Sequence, residues 1–155
     1  MAKPDSIPPF PPASPSPATP VRACGRKYFT VNEALRALPL VKRIARDMQA
    51  TQNRRLSLHA QIEVDVLESP GNRRHSLNQR DLDQQTERLE DLVEELDQIG
   101  VQLKDPHRGL VDFPAFYLGR EVLLCWQADE ATITHWHEID SGYAGRREIA
   151  ELVGG

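Results

Sequence analysis

The chain has 155 residues and a net charge of −4, from 19 basic and 23 acidic side chains, a balance that leaves no electrostatic footprint for nucleic acid. No apolar run approaches the ~18 residues of a membrane span, and the N-terminus lacks the apolar stretch of a secretory signal, so a cytoplasmic protein with no membrane partner is expected. Its two cysteines, Cys24 and Cys125, have neither metal nor redox spacing, which excludes a disulfide scaffold.

Eight of the 12 prolines fall in the first 20 residues. The run PPFPPASPSP favours extended polyproline II and cannot bury enough apolar surface to offset ordering. Residues 1–27 therefore read as a disordered tail, with a PxxP-type docking segment as the functional alternative. Residues 28–155 are expected to form a single domain.

That domain opens on Thr30-Val31-Asn32-Glu33, a capping box. Pro39 soon follows, and proline is tolerated in the first turn of a helix but not in its interior. The spacing predicts a short helix over 31–37 and a long one over 39–67, with a single kinked helix as the alternative. Ser69-Pro70-Gly71-Asn72 breaks the chain. A third helix is expected over 76–99, closed by Gly100. Its apolar seam is Leu82, Leu89, Leu92, Leu96 and Ile99, with Gln85 in the missing slot. The matching seam on the preceding helix is read as Val41, Ala45, Met48, Gln52, Arg55, His59, Ile62 and Val66. A short connection forces an antiparallel, coiled-coil-like hairpin that sets Ile62 near Leu82, His59 near Gln85 and Met48 near Leu96. Eight acids and one base lie between Asp81 and Asp97, against six bases and four acids between Val31 and Val66. Complementary rows of this kind fix register and partner choice, and the hairpin is the expected surface for homo-oligomers.

After Gly100 the period changes to two. Strands are predicted over 110–113, 121–126 and 132–137, joined by turns at Tyr117–Arg120 and Gln127–Ala131. Short connections make them an antiparallel meander. Six of the nine aromatic residues lie between Phe113 and Tyr143, so this unit holds most of the bulky packing. A glycine-punctuated loop, Asp140 to Arg146, leads to a helical tail over 147–152. The expected fold is α+β: a helical hairpin packed with a three-stranded meander.

Strand alternation puts His135 and His137 on one face. Pairing Trp126 with Thr132 adds Cys125, with Glu121 opposite His137, and puts both tryptophans on the other face, toward the helices. Two histidines two apart on a strand, with a third ligand from a neighbour, can build an open zinc site. Any His-x-His strand has this geometry, so partly buried, hydrogen-bonded histidines are the favoured reading. No metal and no cofactor are expected. His137, Glu138 and Asp140 do not form the metalloprotease motif, which needs two histidines four apart on a helix. Asp105, Asp112, Asp140 and Arg146 fall in or beside loops at the two ends of the meander, and Asp112, His137, Asp140 and Arg146 are expected to form a polar pocket in which Arg146 clamps a carboxylate or phosphate. Internal pairing of Arg146 is the competing reading.

The segments Phe29-Thr30-Val31-Asn32-Glu33-Ala34 and Leu38-Pro39-Leu40-Val41 resemble the opening of a bacterial family known as domain of unknown function 2203. The resemblance continues through Gly100-Val101, Lys104-Asp105, Arg108-Gly109-Leu110-Val111-Asp112-Phe113-Pro114, Gly119-Arg120-Glu121-Val122, Leu124-Cys125-Trp126 and Trp136-His137-Glu138-Ile139-Asp140-Ser141-Gly142-Tyr143-Ala144-Gly145-Arg146, covering about residues 28–147. It implies a small cytoplasmic bacterial protein with a helical part and a β part, and brings no activity, substrate or cofactor. Coiled-coil similarity accounts for the cell-division-scaffold-like label some members carry. The resemblance places His137, Asp140 and Arg146 in a shared motif. The combined expectation is a non-enzymatic binding or assembly module for a small anionic ligand, the alternative being a metal-binding protein or enzyme that uses His137 with Asp140 or Cys125.

Overall fold

A computed structural model describes residues 27–150 and residue 152. The expected proline-rich tail, Lys27 apart, lies outside these residues. The described residues form two long α-helices, α1 (Val31–Glu68) and α2 (Arg73–Ile99), then β1 (Gln102–Asp105), β2 (Leu110–Tyr117), β3 (Arg120–Trp126), β4 (His135–Glu138), a 3-10 turn (Tyr143–Gly145) and β5 (Arg147–Glu148). The five strands follow sequence order in one sheet, and every neighbouring pair is antiparallel.

Thr30 caps α1 as a full capping box, its side chain accepting from the Glu33 N–H while the Glu33 carboxylate accepts from the Thr30 N–H, both at 3.0 Å. The expected break at Pro39 does not occur; α1 runs through it as one helix of 38 residues. Pro39 removes the donor for the Leu35 carbonyl, but both residues lie on the exposed side, where water can bond that carbonyl. Buried Leu38, Val41, Ile44 and Ala45 hold the helix on both sides of the proline. Helix α2 starts at residue 73 instead of 76, because the Asn72 side chain accepts from the His75 N–H and caps it there. It ends where Gly100 adopts φ 100°, a conformation that L residues with a Cβ disfavour.

The two helices pack antiparallel. Arg55 Nε donates to Thr86 at 3.1 Å, Asn78 donates to Asp65 at 3.1 Å and Arg54 donates to Asp81 at 2.6 Å. The expected seam on α1 is half corrected. Val41, Ala45 and Met48 are buried as expected, but the buried positions beyond them are Thr51, Leu58 and Asp65. Gln52 is only partly buried, while His59 and Val66 face water. A helix offers neighbours at both i+3 and i+4, and here the partner selects the +3 position after Met48, Arg55 and Ile62. The His59–Gln85 layer is therefore absent; Gln85 instead donates to Asp81 on its own helix.

The three-stranded meander understates the sheet. Strand β1 and strand β5 are additional, and β2 continues to Tyr117. The β2–β3 turn narrows to Leu118-Gly119, both with positive φ (53° and 79°), the signature of a two-residue primed hairpin turn. Strand β4 begins at His135, not 132, and its register with β3 is Cys125↔His135, Leu124↔Trp136 and Leu123↔His137. This differs by two from the expected pairing, so the facing of every side chain is retained. Glu121 no longer stands opposite His137; it pairs with Phe116 on β2. Arg147–Glu148 is strand, so the helical tail begins only after it.

Alternation divides the sheet cleanly. Val111, Phe113, Ala115, Val122, Leu124, Trp126 and Trp136 join Leu38, Val41, Ala45, Met48, Leu92 and Leu96 in one core. Both tryptophans thus pack toward the helices, as expected. Strand β1 covers only Leu110–Asp112 of β2. Beyond it, the Phe29 N–H donates to the Pro114 carbonyl at 2.7 Å and Tyr28 packs on Phe116 with ring centroids 4.4 Å apart. The free edge of β2 is thereby closed at a residue that cannot itself donate. The opposite face of the sheet carries Asp112, Leu123, Cys125, His135 and His137.

Candidate functional site

Three adjacent strands place three polar side chains together on the face away from the helices. Asp112 on β2 is directly opposite Cys125 on β3. His137 on β4 pairs with Leu123, one diagonal step from Cys125, a separation that long side chains bridge. All three are buried: Asp112 and Cys125 are 1% exposed and His137 is 3% exposed. One ligand-capable atom from each lies within 4.8 Å of those of the other two.

The imidazole is held at both nitrogens. His137 Nδ1 lies 2.7 Å from the Glu138 carbonyl, and Nε2 lies 3.2 and 3.3 Å from the two Asp112 carboxylate oxygens. A carbonyl only accepts, so Nδ1 carries a hydrogen. A second proton on Nε2 makes the ring an imidazolium facing Asp112. Its pKa is pushed up to about 10, first by the hydrogen bond to the Asp112 carboxylate and next by that to Cys125. Burial opposes the rise, while the Glu138 carbonyl and the Asp112 charge add to it. Above the trio is a cavity of about 160 Å³, bounded also by Lys104, Leu110, Leu123, Ile139, Gly142 and Tyr143. Lys104 Nζ stands 3.9 Å from Asp112 Oδ2 with its side chain 43% exposed.

Of the four residues expected to share a pocket, Asp112 and His137 are brought together. Arg146 forms a different cluster. One of its terminal nitrogens donates to both Glu130 oxygens at 2.7 and 2.9 Å, its guanidinium lies over the Tyr143 ring at 4.7 Å, and it reaches the Cys125 carbonyl at 3.4 Å. It is an internal ion pair that fastens the β3–β4 connection to the loop before β5. Its high pKa rises further: burial works against the charge, and the Glu130 hydrogen bond and nearby charges outweigh it. Asp140 is exposed in the turn after β4, and both nitrogens of His137 are already engaged elsewhere. His135 bonds at Nδ1 with the Thr134 hydroxyl at 2.9 Å and is not among the residues whose ligand-capable atoms lie within 4.8 Å of one another around His137.

Sequence reasoning found Lys104 only as part of the family resemblance and missed its place at the site, as it missed the partnership of Cys125 with Asp112. Lys104 follows a helix-ending glycine in what looked like a connection, and only β1 brings it beside β2. The Cys125–Asp112 pairing depends on the length of β2 and its two-residue turn, which the sequence signals at Leu118-Gly119.

The architecture defines an α+β domain with a helix pair on one sheet face and a small polar-floored cavity on the other. The chain belongs to the family of uncharacterised conserved proteins DUF2203, whose model matches residues 27–149. No curated protein and no solved structure matches it. Among the described residues no helix is long and apolar enough to cross a membrane.

Proposed function

We propose that the chain is a non-enzymatic binding module that takes a small carboxylate- or phosphate-bearing ligand into the cavity over Asp112 and His137. The observation that carries this reading is the charge set of that cavity. The imidazolium of His137 on the floor and the ammonium of Lys104 on the rim face a single carboxylate, Asp112. One positive charge is left uncompensated where the cavity opens, and Lys104 is free enough to follow a ligand. Lys104, in place of Arg146, is the anion contact in this reading. Thermal shift and calorimetry against small carboxylates and phosphate test it. A hit should weaken at least tenfold in Lys104→Ala and stay unchanged in Arg146→Ala. Affinity indifferent to Lys104 refutes the assignment.

A second reading, self-association through the helix pair, is favoured by an apolar stripe on the distal half of α1. Leu56, Val64 and Leu67 lie on one side of the helix, 49%, 42% and 84% exposed. A second copy is the fitting occupant, since the arginines of α1 and the acidic row of α2 would meet across an antiparallel pair. Sedimentation should give a dimer that Leu67→Glu dissociates; a monomer at high concentration rules it out.

A further inference from the structure

We infer that Asp112, Cys125 and His137 bind a divalent transition-metal ion of the zinc type, with the fourth coordination position opening on the cavity above them. The inference deepens the binding-module reading and rests on it only for what reaches that fourth position.

The argument starts from the ring of His137. Nδ1 is committed as a donor to the Glu138 carbonyl at 2.7 Å, which directs the Nε2 lone pair of the neutral ring at the Asp112 carboxylate. Two lone-pair groups do not face each other across 3.2–3.3 Å in a buried site unless a cation lies between them. In the metal-free chain the second proton of the imidazolium serves, at a separation longer than the ~2.7–2.9 Å of a tight charge-assisted contact, so the ring is not drawn fully onto the carboxylate. The separation is nearly equal to both oxygens. Zinc bonds of about 2.0–2.1 Å to nitrogen and oxygen set two corners of a tetrahedron about 3.3 Å apart. The Glu138 contact is also the arrangement that a metal-bound histidine uses to fix its tautomer and aim its other nitrogen.

The donor set narrows the ion. One sulfur, one imidazole nitrogen and one carboxylate oxygen suit zinc and its congeners, whereas magnesium and calcium demand shells of oxygen. The ligands come from three neighbouring strands of one sheet, so the frame is rigid without a metal, as an organised site requires. A thiolate, a carboxylate and a neutral imidazole balance the two positive charges of the ion. Arg146, which also lies near Cys125, is paired with Glu130, so the nearby charge that opposes a cation is that of Lys104, 3.9 Å from Asp112 Oδ2. The lysine is long, half-exposed and rooted on an edge strand, so it can withdraw and then attract an anion to the open position. Three protein ligands with a fourth place left open is the pattern of zinc sites that exchange a ligand.

The test uses the full-length protein, stripped with a chelator and titrated with Co²⁺ and Zn²⁺. Uptake of about one ion per chain is expected, with the strong thiolate-to-cobalt absorption and the visible bands of four-coordinate cobalt, both displaced by zinc. Cys125→Ser should abolish the thiolate band, and Asp112→Asn should weaken binding at least tenfold. Cys24→Ser and His135→Ala should leave both band and stoichiometry intact. Because His137→Ala empties a buried position, His137→Gln is included, with circular dichroism to confirm folding. A folded wild-type chain that takes up no ion, a thiolate band that survives Cys125→Ser, or loss on His135→Ala but not on the His137 variants overturns the inference. If the stripped protein still binds a carboxylate or phosphate through Lys104, the binding-module reading stands without the metal. If metal binds but no anion binds either form, that reading fails and the metal site remains.

Discussion

Arg146 donates to both oxygens of Glu130 from a position only 12% exposed, so truncating it strands a partly buried carboxylate. Arg146→Ala should lower stability by about 1.5–3 kcal/mol, the range for hydrogen bonds to charged groups, in urea unfolding, with no change in metal or anion binding. Asp65 is the converse case, an acid 1% exposed on the helix seam. Burial alone pushes its pKa up, but hydrogen bonds from Gln61 and Asn78, together with the charge and hydrogen bond of Arg74, hold it below the usual aspartate value of 3.8. A depressed folded pKa contributes stability above the unfolded value and loses it as pH falls through the folded one. The helix pair should therefore weaken on acidification below about pH 4, and Asp65→Asn should flatten that acid limb in denaturation curves taken at several pH values. The site was legible in the same uneven way. Strand alternation with the β3–β4 pairing puts Cys125 and His137 on one face, and that survives a two-residue slip of register, whereas the place of Asp112 beside Cys125 waits on the β2–β3 register. The partner of Arg146 was not legible, because it depends on how the loop from Gln127 to Thr134 folds back, and periodicity is silent there.

The elements divide by what encodes them. The capping box at Thr30 and the glycine at Gly100 act within a few residues, and both sit where local chemistry puts them. Pro39 was misread because its local cost, about 3 kcal/mol inside a helix, is set against tertiary packing that no local rule counts. Pro39→Ala should accordingly stabilise the protein by roughly 1–3 kcal/mol, read as a higher urea midpoint at unchanged slope; a loss would mean the proline ring is needed for packing. The seam of α1 was ambiguous because +3 and +4 neighbours share a face and both sets contain apolar residues. Leu58→Ala should cost about 2–5 kcal/mol and His59→Ala close to nothing, and equal effects would return the seam to His59. Leu92, 2% exposed in the core, should likewise cost about 2–5 kcal/mol when cut to alanine. Strands β1 and β5 escaped notice for a simpler reason: at four and two residues they are too short to show a period.

At the scale of the molecule, the two sheet faces have different tasks, one packed on the helices and one holding the polar trio, which is why core and site did not compete for the same residues. Length is also unequally shared. At 1.5 Å per residue, the 38 residues of α1 span about 57 Å, while the eight residues of β2 reach about 27 Å. The main core ends at Met48 on α1 and begins at Leu92 on α2. Past those points, Gln49 and its bond to the His107 carbonyl apart, the described helices pack on each other across a seam that includes Thr51, Arg55, Thr86 and Asp65. Such a stretch opens without the rest. In native-state hydrogen exchange, amides from Thr51 to Thr86 should exchange at a free energy well below that of Val122 to Trp126, with a shallow denaturant dependence; uniform protection would show a single cooperative unit. The arm can thus melt and re-form while the sheet stays intact, and a partner that gripped it would select among degrees of fraying without disturbing the cavity at the far end.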